Sequence, residues 1–282
     1  MRLLRPAAEM QAAALAWRAQ GLRLALVPTM GALHEGHLSL VRLAREGADV
    51  VVVSIFVNPT QFGPREDFAA YPRELERDLS LCAEAGADAV FAPSVEDMYP
   101  AGHSVHIDET ALSTHLCGAA RPGHFRGVCT VVAKLFHLCL PHRAVFGEKD
   151  AQQLRVIRRL VRDLNFPVEI VAAPTAREAD GLARSSRNRY LGPEERAAAR
   201  VVPRALDAVA ERVAAGERDP AVLRAVLAAT VAAEPLARVD YLEVVDDETL
   251  VPATARLAQP FLVAVAVHIG RTRLIDNRRF AP

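Results

Sequence analysis

The chain is poor in lysine. All but two of its 34 basic residues are arginine, so Lys134 and Lys149 stand out as compact ammonium charges where the chain otherwise uses planar guanidinium. Net charge is also missing, because 34 acidic residues balance the basic ones. Without a global field there is no electrostatic reason to expect nucleic acid as a partner. The four cysteines, Cys82, Cys117, Cys129 and Cys139, form no C-x-x-C pair, which predicts reduced, mostly packing thiols. No apolar run reaches the length of a membrane helix. The arginines and alanines of residues 1–21 imitate a targeting peptide, but Glu9, Gln11, Trp17 and Arg18 interrupt the run, and an amphipathic first helix fits better. A soluble, cytoplasmic protein without a membrane partner is expected.

What is present centres on RLALVPTMGALHEGHLSLVRLAR, Arg23 to Arg45. Leu22 to Val27 is a β-branched and aliphatic run that breaks at Pro28. Gly31 and Gly36 mark a loop, and Leu38, Val41 and Leu43 carry helical spacing. This is a strand, a loop and a helix N-terminus. His34 and His37 lie where the helix begins, able to face one side of its first turn beside backbone N–H groups without helical partners and the positive end of the dipole. Such a place binds phosphate. The competing readings are a chance surface pair and a metal site. The order His-Glu-Gly-His is not that of the zinc proteases, and no nearby third ligand has convincing spacing.

The rest of the chain alternates in the same way. Asp49 to Val57 is apolar enough for a strand covered on both faces. It runs into the turn-rich Asn58–Gly63, at the sheet edge where open α/β proteins bind ligands. Gln61 offers a donor and an acceptor there, though alone it reads as an ordinary loop glutamine. A helix over 71–85, a strand over 88–92, a basic loop from Arg121 to Gly127, an apolar helix over 128–140 and a strand over 143–146 follow. After Gly147-Glu148-Lys149-Asp150 comes a helix from Ala151, with Asp150 suited to its N-cap, then a strand over 166–171. Arg155, Arg158, Arg159 and Arg162 read as the solvated face of that helix, with Val156, Ile157, Leu160, Val161 and Leu164 packed inward. Alternation of this kind implies parallel pairing with right-handed crossovers.

From Pro193 the character changes to alanine-rich helices, one to about Ala215 with a break at Pro203 and one from Asp219, followed by strands over 239–245, 261–269 and 271–275. The expected architecture is α/β: a Rossmann-like parallel sheet with helices on both faces over residues 1–175, and a smaller α+β lid domain over 176–282.

PTMGALHEGH resembles the His-x-x-His signature of the nucleotidyltransferase superfamily that includes class I aminoacyl-tRNA synthetases, and in this wording it resembles the pantothenate synthetase family. RPGHFRGV and the SSRN loop at Ser185–Asn188 are similar to motifs of the same family, and the resemblance covers nearly the whole chain. It implies ATP-dependent condensation of pantoate with β-alanine through a pantoyl-adenylate, with release of AMP and pyrophosphate. It further implies ATP and Mg²⁺ as cofactors, pantoate and β-alanine as small-molecule partners, and a homodimer. Carried over residue by residue, it makes His34, His37, Lys149 and Arg187 catalytic, with His37 a proton donor. Pro28, Thr29, Met30, Gly31, His34, His37, Gly147, Lys149, Asp150, Ala176, Arg184, Ser185, Ser186 and Arg187 would bind nucleotide. Met30, Gln61, Gln153, Arg121, His124, Val131 and Val132 would bind substrate, and Asp78 would be associated with magnesium. Two positions depart from the family pattern: Arg77 stands where an acid is frequent, and Arg184 where an apolar side chain precedes the serines.

These residue types suit the chemistry. A carboxylate repels an amine nucleophile and has a poor leaving group, and adenylation removes both obstacles. The difficulty is then charge on the pentavalent phosphorus and on departing pyrophosphate, met by positioning and complementary donors. Another nucleotidyltransferase of the same superfamily, or a nucleotide-binding regulator without chemistry, are the alternatives.

Overall fold

The structure, a computed structural model, describes residues 1–64 and 66–281. It divides into two compact units, Met1–Thr110 with Arg121–Glu148 and Gln153–Pro174, and Ala111–Ala120 with Lys149–Gln152 and Thr175–Pro282.

The first unit is built on strands β1 (Arg2–Leu4), β2 (Leu24–Thr29), β3 (Val50–Ile55), β4 (Ala89–Phe91), β5 (Arg143–Gly147) and β6 (Glu169–Ala173). They form one sheet in the order β1-β4-β3-β2-β5-β6, and every pairing is parallel. Helices α1 (Ala7–Ala19), α2 (Glu35–Arg45), α3 (Leu75–Glu84) and the short α4 (Val95–Met98) lie between them. Next in the chain is α5 (Leu116–Ala120), which falls in the second unit, and then come α6 (His124–Cys139) and α7 (Ala151–Asp163). Alternate strand residues point to opposite faces. Ala25, Val27, Val51 and Val53 pack with Leu40, Val41 and Ala44 of α2 and Cys82 of α3. On the other side α1 and α6 pack together against β2. The expected α/β fold with helices on both faces is what forms.

Local differences have physical causes. β1 is an unanticipated sixth strand, too short to show periodicity before Pro6. β2 continues through Pro28, which pairs in register with Ser54. The Thr29 carbonyl accepts from Phe56 N–H, so Pro28 turns its donorless nitrogen toward the β5 side. There the β5 ladder stops at Leu26, and the missing donor leaves no strand partner unsatisfied. α6 begins at His124 rather than 128, because Gly123 takes a left-handed φ of 82° and starts the helix behind it. α3 begins only at Leu75. Leu164, expected inside, is half exposed.

The second unit pairs β7 (Ala237–Asp246), β8 (Phe261–Ile269) and β9 (Thr272–Phe280) as an antiparallel sheet with β8 central. Helices α8 (Pro193–Ala198), α9 (Val201–Ala214) and α10 (Pro220–Ala232) belong to it. Leu206, Val209, Leu223, Leu227 and Val231 bury against alternate residues Phe261, Val263, Val265 and Val267. The helical break falls before Val201 rather than at Pro203, which occupies the first turn of α9, where its lost N–H has no helical partner to miss. All four cysteines are free and buried.

Candidate active site

The junction from β2 into α2 is tightly specified. Gly31 and Ala32 both adopt positive φ, 81° and 51°, a conformation that only glycine adopts without steric cost. A Cβ on Gly31 would stand 3.0 Å from Asp78 Oδ2 and 3.1 Å from Ile55 Cγ2. Thr29 Oγ1 donates to the Ser54 carbonyl at 2.8 Å and accepts from Gly31 N–H at 3.2 Å. Asp78, in the first turn of α3, is 1% exposed. Its two carboxylate oxygens accept the backbone N–H groups of Ala32 and Leu33, each at 2.8 Å. Burial pushes this carboxyl above the ordinary aspartate range, against the pull of those two donors.

α2 opens with imidazoles in place of the usual Ser, Thr or Asp cap. His34 is the N-cap, and its Nδ1 accepts from Gly36 N–H at 3.1 Å while His37 Nδ1 accepts from His34 N–H at 3.3 Å. This is a capping box made from two rings whose centroids lie 4.1 Å apart. Backbone donors expected to lack partners are therefore partly used by the histidines themselves. An acceptor Nδ1 on a neutral imidazole puts the proton on Nε2, so the capping geometry assigns both rings the same tautomer, with Nε2–H as the donor.

Gln61 ends a 3₁₀ turn, Pro59–Gln61. Its Nε2 contacts Met30 Sδ at 3.0 Å, and its Oε1 accepts from Asn58 Nδ2 at 3.1 Å. Asn58 is buried and also donates to the Gly127 carbonyl at 3.1 Å, while its Oδ1 accepts from Tyr99 Oη at 2.8 Å. The Gln61 carbonyl accepts from His124 Nδ1 at 2.8 Å and Arg121 Nη2 at 3.2 Å. Arg121 grips Glu66 with two bonds of 2.7 and 2.6 Å. Burial works against the Glu66 charge, but Arg121 outweighs it and holds the carboxyl below the ordinary glutamate range. Arg121 and His124 thus support the Gln61 turn. Val131 and Val132 of α6 are buried, as is Phe56 beyond β3.

Among the nucleotide candidates, Lys149, Asp150, Ala176, Arg184, Ser185, Ser186 and Arg187 belong to the second unit, whereas Gly147, like the substrate candidate Gln153, belongs to the first. Lys149 sits in the 3₁₀ turn Glu148–Asp150. Its ammonium lies 3.9 Å from Asp150 and its carbonyl accepts from Asn277 Nδ2 at 2.9 Å. Gln153 is half buried, in contrast to Gln152, whose amide bonds the Leu112 and His115 carbonyls. The Arg184 N–H donates to the Ala176 carbonyl at 2.9 Å, and Ser185 Oγ accepts from Arg187 N–H at 3.3 Å. Arg177 anchors this loop on the fully buried Asp276 carboxylate at 2.6 and 3.1 Å. Asn58, Tyr99, Glu66 and Asp276 were not singled out in the sequence, since only their long-range partners give them a role.

A magnesium role for Asp78 does not fit its surroundings. Mg²⁺ binds carboxylates that remain open to water and phosphate, and this one is buried with both oxygens bonded to backbone N–H. No group of three His, Cys, Asp or Glu among the described residues could hold a metal.

A six-stranded parallel sheet with paired imidazoles at a strand-to-helix junction defines the class: a Rossmann-like α/β protein with a candidate site at the start of α2. Within it, the chain belongs to the pantoate-beta-alanine ligase family, whose model matches residues 2–279. It is 57% identical over 277 residues to the pantothenate synthetase of Moorella thermoacetica, covering 98% of each chain. The identity to that of Geobacter sulfurreducens is 54% with the same coverage. Among solved structures, the pantothenate synthetase of Thermus thermophilus matches with a TM-score of 0.94 at 49% identity over 100% of both chains. The pantoate-beta-alanine ligase of Francisella tularensis, complexed with beta-gamma ATP and beta-alanine, matches with 0.80 at 33% identity, covering 99% of this chain and 97% of that one. The activity is that of a ligase joining pantoate and β-alanine into pantothenate.

Proposed function

We propose that the ligase works by adenylation, with ATP as co-substrate: the pantoate carboxylate attacks the α-phosphate, pyrophosphate leaves, and the β-alanine amine then displaces AMP from the acyl carbon. The observation that supports this most strongly is the capping box of His34 and His37, which assigns Nε2–H as the donor of both rings. Neutral donors held in place need no reorganisation as charge builds on the phosphates. In this reading Lys149 adds a compact positive charge, and Ser185, Ser186 and Arg187 bind the triphosphate as a mobile loop. His37, whose Nδ1 is held as an acceptor, gives the departing pyrophosphate a hydrogen bond from Nε2–H rather than a proton. Pro28, Thr29, Gly31, Gly147, Asp150, Ala176 and Arg184 line the nucleotide. Residues 1–175 bind nucleotide and pantoate, and 176–282 act as the lid.

Gln61 and Gln153 receive the pantoate hydroxyl and carboxylate, with Met30, Phe56, Val131 and Val132 around the paired methyl groups. The bond from Gln61 to Met30 supports the first of these assignments, because it already orients the amide. Arg121 and His124 serve pantoate indirectly, through the Gln61 turn. With Asp78 engaged, we assign Mg²⁺ to the nucleotide's phosphates and water rather than to a protein cage. A homodimer in the cytoplasm is the state we infer; no helix among the described residues is long and apolar enough to cross a membrane. A turnover assay with ATP, pantoate and β-alanine, each omitted in turn, tests the scheme. AMP formation that requires both acids is expected, and stoichiometric ADP in place of AMP would refute adenylation.

A further inference from the structure

The first turn of α3 holds the turn that precedes the imidazole pair from both sides. Asp78 accepts the consecutive N–H groups of Ala32 and Leu33, at 2.8 Å each. Its neighbour Arg77, paired with Glu74 at 2.9 Å, donates to the Leu33 carbonyl at 3.3 Å. Leu33 is fully buried and is the residue immediately before the His34 cap. Both of its backbone polar groups are therefore bonded by side chains from a helix that is remote in sequence.

A carboxylate is an expensive group to bury, and packing alone would be served better by an apolar residue. Its chemistry shows what it is for. Successive N–H groups in a left-handed turn converge on an anion, and only an ionised carboxylate can accept two such donors with two different oxygens. An asparagine would present its NH₂ to one of them. The turn also needs holding, because Ala32 at φ 51° is a non-glycine residue in a conformation it adopts rarely.

We propose that Asp78 is a positioning residue for the reaction: it fixes the Gly31–Leu33 turn so that α2 starts at His34 with both imidazoles oriented toward phosphate, and it does so without binding metal. This rests on the reading that His34 and His37 donate to the nucleotide.

The test is pantoate-dependent exchange of labelled pyrophosphate into ATP, measured for Asp78→Asn and Gly31→Ala in the full chain against ATP and Mg²⁺ concentration. Each is accompanied by a thermal melt and by imidazole ¹⁵N–¹H spectra. Misplacing reacting groups by about 1 Å lowers rates on the order of 100-fold. For Asp78→Asn the maximal exchange rate is expected to fall about 10- to 100-fold, with the KM for ATP within about threefold and the half-saturating Mg²⁺ concentration unchanged. The ¹⁵N shifts of His34 and His37 should move in the same variant. Gly31→Ala, which pushes a Cβ against the Asp78 carboxylate, should reproduce the pattern to a smaller degree, and it carries the test if Asp78→Asn does not fold.

An exchange rate unchanged despite a lower melting temperature would overturn the proposal. So would a rise in the Mg²⁺ requirement, which would make Asp78 a metal residue. His34→Asn separates the two levels: exchange surviving in that variant defeats the adenylation role of His34, whereas exchange lost there but retained in Asp78→Asn defeats only the positioning role.

Discussion

Two strand-to-helix junctions look alike in sequence and differ in structure. β2 passes into α2 through two left-handed residues, a buried carboxylate and a histidine capping box. β5 passes into α7 through a plain 3₁₀ turn, Glu148–Asp150, with no positive φ at Gly147 and nothing within 4 Å of where its Cβ would be. Both junctions contain a glycine followed by a polar residue proposed to meet phosphate. The first fixes its donors through backbone geometry and a remote helix. The second leaves Lys149 to act through charge, on a flexible stem that needs no exact backbone setting. A glycine in a phosphate motif thus has two physical meanings, and only the conformation tells which applies.

The largest expected effects remove the two kinds of donor. Loss of one pre-aligned donor lowers catalytic rates by about 10² to 10³, and drops of that order in pyrophosphate exchange are expected for Lys149→Met and for His34→Asn. Asparagine is a good N-cap, so His34→Asn should melt like the parent chain. His34→Ala should lose the same activity and about 1 kcal/mol of stability besides. A Lys149→Met chain with parental exchange would remove the second junction from the chemistry.

Next come the glycines. Gly127→Ala would bring a Cβ within 2.4 Å of the Thr60 carbonyl. Overpacking against backbone of this kind costs about 1–3 kcal/mol, and displacement of the Gln61 turn should raise the KM for pantoate. Gly147→Ala should change stability by less than about 0.5 kcal/mol, so any loss of ATP affinity in that variant reports the nucleotide's approach. A stability loss at Gly147 as large as at Gly31 would erase the contrast between the junctions.

The smallest effect concerns pH. Glu66 is held below the ordinary glutamate range although burial opposes it, because Arg121 favours the charged form. A depressed carboxyl contributes stability that is fully present above its unfolded value and is lost as pH falls through its folded value. Glu66→Gln should therefore lower stability at neutral pH and flatten the decline on the acid side, as read from melts between neutral pH and pH about 3. A parallel acid decline in both chains would remove Glu66 from the Gln61 support.

How far the sequence reached follows from which forces act locally. The strands β2 to β6 and helix α2 were legible because their apolar periods and glycine breaks are local signals, and the parallel α/β class followed from their alternation. β1 was not, since Arg2–Leu4 is too short to carry a period and is a strand only through its pairing with β4. Pro28 misled because its effect depends on which side of the strand lacks a partner. His34 and His37 could be located at a helix start, but their mutual capping could not be read from spacing. Asn58, Glu66 and Asp78 take their roles from partners far along the chain, Gly127, Arg121 and the Ala32–Leu33 turn. No linear pattern encodes such pairings.

One measurement bears most directly on the claim that imidazoles set by their own capping box drive adenylation. It is pantoate-dependent pyrophosphate exchange into ATP, without β-alanine, in the parent chain and in His34→Asn. Exchange in the parent and its loss in an equally stable His34→Asn is the expected result. Parental exchange in a folded His34→Asn, or exchange in neither chain until β-alanine is added, would contradict it.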